Sequence, residues 1–85
     1  MDTENLKEVE VIALYHQDGT IVPEMLVIGK TRYAVEKVLR VTPMNTTKTG
    51  GEVWRYEVLV DERRNTLFLE ETRSYTANRK WLMEV

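Results

Sequence analysis

Met25-Leu-Val-Ile-Gly-Lys-Thr-Arg-Tyr-Ala-Val-Glu-Lys-Val-Leu-Arg-Val41 decides the fold class. Apolar residues run up to Gly29-Lys30, and beyond that pair Tyr33 and Val35 alternate with polar neighbours. A glycine in a two-residue break between apolar runs predicts a β-hairpin turning at Gly29. The strand after the turn is expected over Thr31 to Thr42. Its alternation slips partway: Tyr33, Val35, Leu39 and Val41 are in phase, yet Lys37 sits on the apolar phase and Val38 off it. A bulge or sharp bend near Glu36-Lys37 would repair the phase.

The rest of the chain repeats the theme of short β-branched or aromatic runs broken by Gly, Asn, Asp and Pro. Glu8 to His16 reads as a first strand, with Val9, Val11, Ala13 and Tyr15 on one face and Ile12 and Leu14 on the other. Both faces are apolar, which predicts a strand covered on both sides. Gln17-Asp18-Gly19-Thr20 is a turn, and Ile21 to Ile28 is the second strand. Pro23 cannot donate to a ladder, so that half of the strand is expected at an edge or a bulge. Pro43 to Gly51 is the longest polar loop, and its Thr and Gly content predicts mobility. Glu52 to Val60 is a strand with Trp54, Tyr56, Val58 and Val60 on one face. Asp61 to Asn65 is a charged turn, Thr66 to Glu71 a short strand, Thr72 to Arg79 irregular, and Lys80 to Val85 a closing strand. The expected fold is all-β: a small five- to six-stranded barrel or roll. An SH3-like barrel comes first because most connections are short and hairpin-like.

Eighty-five residues leave room for one domain. Residues 1–7 read as a flexible N-terminal arm and residues 8–85 as a single small β domain. Net charge is −2, so no global field attracts phosphate. The absence of cysteine removes disulfide frameworks and thiolate metal sites. The acidic start lacks the apolar run of a signal peptide, and no stretch approaches the ~20 apolar residues of a spanning helix. A cytoplasmic protein without a membrane anchor is the resulting expectation.

Residue types that carry chemistry are sparse. His16 is the only histidine and adjoins the Asp18-Gly19 turn, which reads as a surface position. Glu70-Glu71 and Asp61-Glu62 are adjacent pairs, and adjacent strand residues point to opposite faces. Lys48-Thr49-Gly50-Gly51 lacks the pattern of a phosphate loop. No catalytic residue, metal site, cofactor or small-molecule substrate is expected, and the chain is not read as an enzyme. Trp54 and Trp81 each sit beside a base, the arrangement of a stacking platform, but their phase with Val58, Val60, Met83 and Val85 assigns them to the core.

Pro23, Leu26, Ile28-Gly29, Tyr33, Val35, Val38-Leu39, Gly50-Gly51, Tyr56, Val58, Leu67, Leu69 and Lys80-Trp81 together resemble the pattern of a group of short bacterial proteins of unknown function. The resemblance spans roughly residues 9 to 85. It implies a small β domain in a bacterial cytoplasm and brings no activity with it.

Surplus apolar residues point to an interaction module that self-associates or binds a protein partner. Val38 and Leu59, out of phase with the core stripes, are the expected contact surface, and a homodimer is the expected assembly. The alternative is a nucleic-acid-binding small barrel using Arg55, Arg63, Arg64, Arg73, Arg79 and Lys80. That alternative requires the last two connections to bring these bases together.

Overall fold

Val35 donates its N–H to the Glu24 carbonyl at 2.9 Å, and the next residue, Glu36, donates to the Leu59 carbonyl at 2.8 Å. Those two acceptors lie in different sheets, so the chain changes sheet across a single peptide unit. This is what the phase slip in the sequence records. The computed structural model describes residues 6–45, 52–72 and 78–84. Within them are eight strands: β1 (Leu6–Glu8), β2 (Glu10–Tyr15), β3 (Ile21–Ile28), β4 (Thr31–Ala34), β5 (Lys37–Asn45), β6 (Glu52–Val60), β7 (Arg63–Thr72) and β8 (Asn78–Glu84). All pairings are antiparallel. They form a five-stranded sheet in the order β1-β8-β7-β6-β5 and a three-stranded sheet in the order β2-β3-β4.

The all-β class stands, and the strand count is corrected from five or six to eight. Two of the expected strands are each divided between the sheets. The expected first strand breaks at Val9, whose N–H still reaches the Trp81 carbonyl at 3.0 Å before Glu10 pairs with Val27. The expected third strand breaks at Val35–Glu36. No ladder joins the two sheets along a third seam among the described residues, so the architecture is two layers linked at corners. Leu6 and Lys7, expected within a flexible arm over residues 1–7, pair instead with Glu84 and Met83, and residues 1–5 lie outside the described residues. The loop expected over Pro43 to Gly51 is likewise trimmed: Pro43, Met44 and Asn45 pair with β6, and residues 46–51 lie outside the described residues.

The turns follow their sequences. Gly19 has φ +93° and donates its N–H to the His16 carbonyl, while His16 donates to Thr20: a three-residue hairpin loop closed by a glycine bulge. Gly29, with φ +62°, occupies the first central position of the β3–β4 turn. Asp61 and Glu62 join β6 to β7 with φ of 51° and 61°, the two left-handed residues of a tight hairpin. Pro23 lies in the irregular half of β3, where Ile12 pairs with Met25 but Ala13 pairs with Pro23, so Glu24 is the extra residue.

The core lies between the sheets. Tyr56, Val58 and Val60 of β6, Leu67 and Leu69 of β7, and Trp81 of β8 close over Leu26 of β3. Val9, Val11, Ala13, Ile21, Tyr33 and Val35 pack against them from the other layer. Sheet burial on both faces belongs to β7, where Leu67, Phe68 and Leu69 are all buried. It does not belong to β2. Ile12 and Leu14, expected under cover, are each 47% exposed.

Candidate functional site

The β2–β3 loop overhangs one end of the core and roofs a cleft of about 520 Å³. Its geometry comes from two local features. Gly19 lets the chain fold back, and the Asp18 carboxylate accepts the Thr20 N–H at 2.9 Å. That bond holds the Asp18 carboxyl below the usual carboxylate range, with the nearby His16 adding to the effect. Trp54 and Tyr56 of β6 and Leu69 of β7 form the apolar wall, and Glu52, Glu71 and Arg79 line the polar end. Arg79 donates its Nε–H to a Glu71 carboxylate oxygen at 2.8 Å, and its guanidinium carbon lies 5.1 Å from the centre of the Tyr15 ring.

The Tyr56 hydroxyl donates to the Ile21 carbonyl at 2.8 Å and its ring sits 5.2 Å from that of Trp81, tilted by 54°. Burial, reinforced by the charge of Glu71, raises its pKa above the ordinary phenol value. Trp81 is core, as its phase indicates, whereas Trp54 is half-buried and forms cleft wall as well as core edge. The cleft is acidic, with Asp18, Glu52 and Glu71 against Arg79. His16 is exposed at the base of the loop, where its backbone closes the hairpin. Among the described residues no three His, Cys, Asp or Glu side chains are grouped to hold a metal.

No family model, curated protein or solved structure matches this chain.

The bases named for nucleic-acid contact do not converge. Arg63 and Arg64 begin β7, while Arg79 pairs with Glu71 near its far end. Eight residues of strand separate Arg63 from Glu71, roughly 27 Å at about 3.4 Å per residue. Arg55 sits midway, opposite Phe68. Arg79 turns into the acidic cleft and Lys80 pairs across from Glu70. Arg73 lies outside the described residues. Acids interleave the remaining positions, so no continuous positive face forms from them.

The two residues expected to form an apolar contact surface are placed differently from one another. Val38 packs against the core, because the register shift between Val38 and Arg40 turns it inward and leaves Leu39 as the extra, exposed residue. Leu59 does face away from the core, half-buried between Lys37 and Arg64 on the neighbouring strands. The larger outward apolar surface is on the three-stranded sheet. Val11, Ala13, Leu26 and Tyr33 face the core, so Ile12, Leu14, Val22, Met25, Val27 and Ala34 lie on the opposite face. Ile12 and Leu14 were visible in the sequence as the second apolar face of the first strand. What the sequence lacked was any sign that this face meets water.

Proposed function

We propose that this protein is a non-catalytic interaction module that docks a protein surface on the outer face of its three-stranded sheet. The observation that carries the proposal is the pair Ile12 and Leu14, each 47% exposed. They lie side by side with Met25, Val22 and Val27 on a sheet whose other face already covers the core. Apolar surface concentrated on one sheet face marks a contact site, because leaving it in water costs roughly 25 cal/mol per Å². The SH3-like barrel and the bacterial cytoplasmic setting belong to the same proposal. The sheet change at Val35–Glu36 supports the first, since strands that switch sheets at a bend form the corners of barrel-like sandwiches. The resemblance to short bacterial proteins and the lack of cysteine support the second.

The test uses an apolar dye, anilinonaphthalene sulfonate, at submicromolar protein. The folded chain is expected to bind it, and Ile12→Lys combined with Leu14→Lys is expected to abolish the signal while the β-sheet circular dichroism persists. Dye binding that ignores both substitutions defeats the proposal. For nucleic acid, the dispersed bases give no support. A mixed-sequence single-stranded oligonucleotide at low salt is expected to leave the sedimentation rate unchanged.

A further inference from the structure

We infer that the occupant of this face is a second copy of the chain, related by a twofold axis running along β3, with Glu10 of each copy paired to Arg32 of the other. The inference rests on the docking proposal above and adds the partner. Its warrant is the pattern of rows across the sheet. The registers align Glu10 with Val27 and Val27 with Arg32, then Ile12 with Met25 and Met25 with Ala34, then Leu14 with Val22. Each row crosses the strands in the order β2, β3, β4, and the third row lacks a β4 member because that strand ends at Ala34.

A twofold axis along β3 keeps every row in place and exchanges β2 with β4. Glu10 then lies over Arg32 of the second copy, and Arg32 over Glu10. Ile12, large, lies over Ala34, small, so bulk meets space twice. Val27 and Met25, on the central strand, meet their own equivalents. Leu14 lies over the end of the other copy's β4, where the chain leaves the sheet at Val35. The opposite choice, an axis across the strands, lays the charged row over Leu14 and Val22 and strands a carboxylate on leucine. Charge and size both select the axis along β3.

Sheets packed face to face stand about 10 Å apart and cross at roughly 30°. At that angle the Glu10–Arg32 pair is displaced sideways by only a few Å by simple geometry, which two long side chains span. The apolar rows supply the attraction, and the rim charges set the orientation. Glu10 and Arg32 are both exposed, so their pairing screens readily and adds modestly to affinity.

The experiment is sedimentation equilibrium of the full chain from micromolar to millimolar concentration. The set comprises wild type, Glu10→Arg, Arg32→Glu, the double swap, and Leu14→Lys. A reversible dimer is expected, weakened roughly fivefold by either single swap as attraction becomes like-charge repulsion. Restoration is expected in the double swap, and loss of the dimer in Leu14→Lys. A dimer indifferent to both single swaps overturns the inferred arrangement. A strict monomer that still binds the dye through Ile12 and Leu14 overturns the second copy and leaves the face to a different protein. A strict monomer that binds no dye overturns the docking proposal together with it.

Discussion

Tyr56 and Ile21 tie the two sheets together: the hydroxyl of one donates to the backbone carbonyl of the other at 2.8 Å, across a core that is otherwise apolar. Tyr56→Phe keeps the ring on Trp81 and removes only that bond. The expected loss is about 1 kcal/mol, as the carbonyl forfeits a partner. Chemical denaturation measures it.

The same hydroxyl gives an alkaline signature. Burial raises the Tyr56 pKa above the unfolded value near 10. The folded state therefore favours the protonated phenol, and its contribution is complete below pH 10 and falls as pH rises through the folded value. Tyr56→Phe is expected to remove this part of the stability loss above pH 10. A denaturation midpoint that declines identically in both proteins over that range counters the assignment.

Trp81 and Trp54 differ in burial, and truncation separates them. Trp81, 6% exposed and central to the core, is expected to cost about 3–5 kcal/mol as alanine, for the cavity it leaves. Trp54→Ala is expected to cost roughly 1–2 kcal/mol, because part of its ring already faces the cleft. Paired urea titrations compare the two, and equal losses would contradict the half-buried position of Trp54.

Glu62 holds a left-handed conformation with φ 61°, which glycine adopts without steric cost. Aspartate then glycine is a favoured pair for such a turn. Glu62→Gly is expected to stabilise the protein by about 0.5–1 kcal/mol, against the general trend for glycine substitutions. The backbone N–H of residue 62 keeps its bond to the Glu36 carboxylate, 3.2 Å away, in either protein. A raised thermal midpoint is the readout.

Asp18 titrates below 3.8 because its charged form accepts the Thr20 N–H. The bond is present above that value and lost as pH falls through the depressed one. The Thr20 amide resonance is expected to report a midpoint below 3.8, and Asp18→Asn to abolish the transition.

Much of the sheet arrangement was legible. The Glu52–Val60 strand, the Gly19 and Gly29 turns and the irregularity at Pro23 all follow from period-2 patterning and backbone chemistry. The slip at Glu36-Lys37 was legible as a break but not as a change of sheet, because a bulge and a corner produce the same shift in phase. The contact surface was read only in kind. Val38 looked outward because the extra residue at Leu39 was invisible, and that one residue reverses which face each side chain takes. Ile12 and Leu14 looked covered because an apolar face carries no mark of whether protein or water lies beyond it. The cleft was not legible, since Asp18, Trp54, Glu71 and Arg79 are brought together by pairings between distant strands.

The segment from Thr31 to Asn45 belongs to both layers, and this bears on how the molecule comes apart. The three-stranded sheet owns β4, the five-stranded sheet owns β5, and the peptide between Val35 and Glu36 is anchored on either side. Peeling β5 from β6 loosens the anchor that fixes the end of β4, and the reverse holds. Neither layer is then an independent unit of unfolding, so the best-protected amides of β3 and of β7 should exchange with solvent through one shared opening, at one free energy.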